Sequence, residues 1–175
     1  MNYLWILLLL AFYIQLNSSA VRFTNLKCET IHPDFVSYEV CSLRVITRGV
    51  IGLSIYAKMW QLPVNNISIN LSLFKKLNGY RPFLYNFSVD MCKFFKNPKK
   101  YPFVQLYHRI IVNESNINHT CPYNHDLIVK DVFLDESKFK NLPLPRGEYR
   151  FDLKVSAYND LKGEIKAYID ISRDL

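Results

Sequence analysis

Asn66-Ile67-Ser68-Ile69-Asn70-Leu71-Ser72-Leu73 alternates polar and aliphatic residues without a break. A β-strand sends successive side chains to opposite faces. Ile67, Ile69, Leu71 and Leu73 therefore share one face, and the asparagines and serines share the other. Asn66 and Asn70 also carry the Asn-x-Ser pattern of N-glycan acceptors. A glycan belongs in water and an aliphatic row in a core, so two independent signals give the same assignment of faces. The stretch reads as a strand with one dry face and one wet face.

The same period returns elsewhere. Tyr149, Phe151, Leu153, Val155 and Ala157 alternate with polar residues, as do Ile165, Ala167, Ile169 and Ile171. Asn159-Asp160-Leu161-Lys162-Gly163 between them is a turn signal, so the two runs predict a hairpin. Pro143-Leu144-Pro145-Arg146-Gly147 reads as a rigid connector leading into it. Leu53, Ile55 and Ala57 predict a half-buried strand after a turn at Arg48-Gly49. Residues 35–46 and 127–134 are apolar and β-branched enough to be strands. Sheets with one apolar face must cover it, and the simplest cover is a second sheet. The expected fold is all-β, an immunoglobulin-like β-sandwich of about seven strands.

One segment leaves period two. After Pro102, the residues Phe103, Leu106, Tyr107, Ile110 and Ile111 follow the spacing of an amphipathic helix, with Pro102 at its first turn. Asp90 is placed to cap a shorter helix carrying Cys92 and Phe95 on one side, and Asn97-Pro98 separates the two. This predicts a helical insertion over about residues 90–113. Lys93, Lys96, Lys99 and Lys100 surround Phe94, Phe95 and Tyr101 within it. Such a mixture suits docking on an anionic membrane surface or an acidic receptor, or else a solvated helix with its aromatics in the core.

Residues 3–16 form an uncharged apolar run, too short for a comfortable membrane span, followed by Ser18-Ser19-Ala20. We read residues 1–20 as a signal peptide cleaved after Ala20 and residues 21–175 as a single secreted, extracellular domain. A chain of that size buries roughly 68–70% of its unfolded surface, enough for a real core. The net charge of +7 would favour nucleic acid in another compartment, but secretion excludes that partner. Half of the residues are apolar and 15% aromatic, with 5 glycines, which excludes collagen-like and disordered classes.

In an oxidising compartment Cys28, Cys41, Cys92 and Cys121 read as two disulfides. Of the three connectivities, Cys28–Cys41 with Cys92–Cys121 brackets the most compact segments, and the second bridge would tie down the insertion. Sequons occur at Asn66, Asn70, Asn86, Asn113 and Asn118. His119, Cys121 and His125 offer three zinc ligands at most, and the thiol is needed for a disulfide, so no metal is expected. No nucleophile elbow, zinc-protease motif or phosphate loop is present, and His32, His108, His119 and His125 are scattered, so neither an enzyme nor a cofactor is expected. The inner faces should carry Ile55, Ile69, Leu71, Phe151, Leu153, Val155 and Ile169. Periodicity alone allows these either to interdigitate as a filled core or to line a cavity.

Longer motifs add to this reading. Asn78-Gly79-Tyr80-Arg81-Pro82-Phe83-Leu84-Tyr85-Asn86 followed by Asp90 and Cys92, Asn116-Ile117-Asn118-His119-Thr120-Cys121-Pro122-Tyr123, and Pro143-Leu144-Pro145-Arg146-Gly147-Glu148-Tyr149 resemble three signatures of a large insect family of secreted proteins with a domain of unknown function. Phe23-Thr24-Asn25-Leu26-Lys27-Cys28 and the Asp34-Phe35, Tyr38, Cys41 spacing fit it as well. That family is similar to the lipid-recognition (ML) superfamily. The resemblance implies a sandwich with a hydrophobic cavity between its sheets, to which Phe103 and Tyr107 of the insertion would add a lid at a loop end. It further implies a non-enzymatic binder or carrier of a lipid or other hydrophobic small molecule, with a role in insect chemosensation. The alternative is a secreted protein-interaction module or receptor co-factor with a filled core and no ligand. A cavity of a few hundred Å³ separates the two, since ligand pockets run about 300–1,000 Å³.

Overall fold

The computed structural model describes residues 21–139, 142 and 144–172. The expected signal segment lies outside the described residues, as does Pro143 of the connector. Eight strands form two antiparallel sheets: β1 (Val21–Thr30), β2 (Val36–Thr47), β3 (Val50–Met59), β4 (Ile67–Leu77), β5 (Gly79–Asp90), β6 (Leu127–Phe133), β7 (Gly147–Ala157) and β8 (Asp160–Ile171). One sheet has the order β1-β8-β7-β4-β5 and the other β2-β3-β6. The architecture is the expected β-sandwich, and β1 and β5 are the strands that alternation did not mark.

β4 carries the stretch that led to this fold. Ile67, Leu71 and Leu73 are buried, and the strand pairs with β5 on one side and β7 on the other. β5 escaped the alternation because it contains Pro82 and a bulge. Opposite Ser72 and Phe74 the register jumps from Asn86 to Pro82, and Leu84 takes a left-handed φ of 56°. An edge strand tolerates both, since proline costs nothing where no neighbour needs its N–H. The β7–β8 hairpin closes more tightly than the turn signal predicts. Tyr158 and Asn159 are the two turn residues, with φ of 55° and 63°, the geometry of a type I′ turn. Gly163 lies inside β8, at a bulge where Val155 faces Gly163 and Ser156 faces Leu161.

The two edges of the sandwich close differently. On one, the Cys28–Cys41 disulfide joins β1 to β2 and so ties the sheets together. On the other, between β5 and β6, the chain inserts helix α1 (Met91–Lys96), a 3-10 turn (Pro98–Lys100), helix α2 (Pro102–His108) and a 3-10 turn (Val112–Glu114). Asp90 caps α1, its Oδ1 accepting from the Lys93 N–H at 2.9 Å. The second disulfide, Cys92–Cys121, bridges the start of this insertion to its return. The return is zipped to β6: the Asn116 side chain donates to Asp126 O at 2.7 Å and accepts from the Ile128 N–H at 2.8 Å.

The helical part differs from the expected pattern in phase and length. α1 buries Met91 and Phe94, not Cys92 and Phe95. α2 ends at His108, two residues before Ile110, and its buried residue is Val104. The 103/106/107/110/111 pattern is therefore split between a helix and the turns that follow it.

Candidate functional site: an apolar cavity between the sheets

The buried side chains fall into two clusters at opposite ends of the sandwich. One contains Val21, Leu73, Val132, Leu142, Leu144, Tyr149, Ile169 and Ile171. The other contains Val36, Val64, Ile67, Met91, Phe94, Tyr123 and Ala157. At the first end Tyr149 is pinned by donating its hydroxyl to Pro145 O at 2.5 Å. At the second end Val64 and Tyr123 form a two-bond bridge at 2.7 and 2.9 Å, and the Tyr123 hydroxyl donates to His119 O at 2.7 Å.

Between these plugs the sheets do not mesh. Strand register places Phe87, Leu71, Leu153, Ile165 and Cys28 in one transverse row across the five-stranded sheet. Such inward positions are the most buried in a filled sandwich. Here Ile69, Phe87, Phe151, Leu153, Val155 and Ile165 remain half-buried, whereas Leu73 and Ile169, farther along the same faces, are 1% exposed. The gap is a cavity of about 320 Å³. Its opposite wall is Leu53, Ile55 and Ala57 of β3 with Leu127 and Val129 of β6, and Val104, Tyr107, Ile110, Ile111 and Ile117 close the insertion side.

Of the residues proposed from sequence, Ile55, Ile69, Leu71, Tyr107, Phe151, Leu153, Val155 and Ile169 line this cavity, and Phe103 does not. α2 turns Phe103 away, into an aromatic layer on β5, with ring centroids 4.6 Å from Tyr85 and 5.1 Å from Phe87. Val104 takes the inward place one residue later. Tyr38 was not singled out as a wall residue, because β2 bulges between Tyr38 and Val40 and the period breaks there. Its ring crosses from the small sheet to the large one. A Cβ placed on Gly163 of β8 would lie 2.7 Å from the Tyr38 hydroxyl, which explains why glycine stands at that position.

Polar groups at the wall are few. Burial pushes the Tyr38 hydroxyl up to about 12 and the Tyr107 hydroxyl higher still, so both stay neutral. The Tyr107 oxygen is fully enclosed without a hydrogen-bond partner, among the rings of Tyr85, Phe87, Phe103 and Phe151. The His108 Nε2 bonds Ile117 O at 2.8 Å. The Lys162 ammonium donates to Asp160 Oδ2 at 2.8 Å and lies 4.8 Å over the Phe35 ring. Apolar walls with neutral or already paired polar groups can solvate hydrocarbon.

Residues 69–151 match the model of a family described as a protein of unknown function, DUF1091. The matched span runs from β4 through the whole insertion to the middle of β7, and so includes part of each wall and the insertion side of the cavity. No curated protein matches the chain.

The other candidates resolve as follows. Among the described residues no group of three or more metal-ligating side chains forms, and Cys121 is oxidised. His119 and His125 meet through their Nε2 atoms at 2.8 Å, and the His119 ring stacks on Tyr123 at 4.5 Å. They brace the loop that carries Tyr123. Lys93, Lys96, Lys99 and Lys100 are exposed, Phe94 is 1% exposed, and Phe95 and Tyr101 are half-buried. Among the described residues no helix is long and apolar enough to cross a membrane. The sequon asparagines Asn66, Asn86, Asn113 and Asn118 are exposed. Asn70 differs: its amide donates to Asn86 Oδ1 at 2.9 Å and Ser88 Oγ at 3.0 Å.

Proposed function

We propose that the protein is a secreted, non-enzymatic binder or carrier of a hydrophobic small molecule, held between the two sheets. The observation that carries this reading is the cavity of about 320 Å³ walled by aliphatic and aromatic side chains, at the lower end of the roughly 300–1,000 Å³ range of ligand pockets. Small sandwiches ordinarily fill this space with interdigitated side chains. Leaving it empty forfeits packing energy, and that forfeit is balanced when a guest supplies the missing contacts.

Other features support the same reading. Two disulfides fit an oxidising compartment, and the sequence resemblance to the ML superfamily associates this kind of sandwich with lipid carriage. The insect resemblance extends the proposal to chemical sensing outside the cell. The four exposed lysines of the insertion would let an anionic membrane or an acidic receptor approach the loaded protein electrostatically. The alternative of a pure protein-interaction module with a filled core is disfavoured by the same cavity. The test is titration of the purified protein with the apolar fluorophore N-phenyl-1-naphthylamine. Saturable uptake with micromolar affinity is expected, and absence of uptake removes the carrier reading.

A further inference from the structure

We propose that the cavity takes uncharged, chiefly hydrocarbon molecules bearing a single oxygen, excludes ionised fatty acids, and offers the Tyr38 hydroxyl as its hydrogen-bonding contact. This rests on the cavity being a ligand site and names the class of guest.

Among the described residues five ionisable side chains touch the wall: Tyr38, Tyr107, Tyr123, His108 and Lys162. The three tyrosines are neutral, each held protonated by burial. The His108 Nε2 is occupied by the Ile117 carbonyl. Among the described residues Lys162 is the one lysine or arginine at the wall, and it is matched by Asp160, whose Oδ2 also lies 3.3 Å from the His32 Nε2. An arriving carboxylate would meet the Asp160 anion beside its only counter-charge. Elsewhere the wall is aliphatic or aromatic apart from Ser156, and an unpaired charge there loses its hydration without compensation.

A neutral oxygen faces no such penalty. Tyr107 cannot serve it, because its hydroxyl is sealed among rings. The Tyr38 hydroxyl stands at the cavity face of Gly163 and has no hydrogen-bond partner among the described residues. An alcohol, ketone or ether oxygen can both satisfy it and be satisfied by it.

The experiment displaces N-phenyl-1-naphthylamine with three guests of equal chain length: decane, 1-decanol and decanoic acid, at pH 5 and pH 8. Decanol should bind equally at both values. Decanoic acid should weaken about tenfold for each pH unit above its own pKa, because only its neutral form enters. In Tyr38→Phe, decanol should weaken about three- to tenfold, the equivalent of one neutral hydrogen bond, with decane unchanged. The wild-type comparison alone tests the charge rule and needs no variant. Decanoate binding at pH 8 as tightly as decanol overturns the inference and leaves the cavity reading intact. Equal decanol affinity in wild type and Tyr38→Phe overturns the Tyr38 contact. Failure of all three guests to displace the fluorophore, or of the fluorophore to bind, overturns the ligand site itself.

Discussion

Replacing Leu153 by tryptophan tests the cavity through the protein's own stability. Leu153 sits mid-row on the inner face of the large sheet, between Leu71 and Ile165, and is only half-buried. In a filled core the larger side chain would force neighbours off their rotamers, at about 1–3 kcal/mol. In a void it buries on the order of 50 Å² more apolar surface than leucine, which stabilises by about 1 kcal/mol at 25 cal/mol per Å². The two pictures differ in sign. The control is Leu73→Trp, on the neighbouring strand and the same face but inside the packed end, where Leu73 is 1% exposed. At about 2–4 °C per kcal/mol for a domain of this size, Leu153→Trp should raise the melting temperature by a few degrees and Leu73→Trp should lower it by several. Thermal unfolding followed by far-ultraviolet circular dichroism reads both. Uptake of N-phenyl-1-naphthylamine should fall in Leu153→Trp, because the indole occupies the guest's place. A loss of stability in Leu153→Trp equal to that in Leu73→Trp would refute the reasoning.

Three further predictions follow from particular groups. Tyr107→Phe removes a buried hydroxyl that has no partner, so it should stabilise the protein by about 1–2 kcal/mol; a lower denaturation midpoint in urea would contradict this. Tyr38 and Tyr123 are raised from 10.0 to about 12, so the stability they protect is complete below pH 10 and is lost between pH 10 and 12 as the unfolded chain ionises first. Stability should decline there by about 1.4 kcal/mol per pH unit for each tyrosine, and Tyr38→Phe should flatten the decline. Asn70 and Asn86 lie side by side, with the Asn70 amide already engaged, so peptide mapping of glycosylated protein should find at most one of the pair modified; both modified on one molecule would contradict the geometry.

The sandwich was legible wherever one face of a strand is wet, because period-two alternation then records the sheet directly. β4, β7 and β8 are of this kind. β5 was hidden by Pro82 and its bulge, and β1 by a register shift between Phe23 and Asn25. Most wall residues followed from the same alternation, since facing inward is a property of register. Whether the inward faces touch is not, for it depends on the distance between sheets, which no single strand encodes. Phe103 and Val104 show the limit on helices: over a helix as short as Pro102–His108 a hydrophobic stripe cannot fix its own phase, and aromatic stacking on Tyr85 and Phe87 decided it. Tyr38 left no periodic trace, and its partner Gly163 looked like a turn residue until β8 placed it in the wall.

On this reading the space between the sheets holds a neutral hydrophobic guest. Native mass spectrometry of protein purified from its own source, without detergent or organic solvent, addresses it most directly. The expected result is an added mass of one small uncharged molecule that leaves on gentle collisional activation, and that Leu153→Trp fails to retain. A bare chain mass for the wild type, together with failure to acquire 1-decanol added in excess, would contradict it.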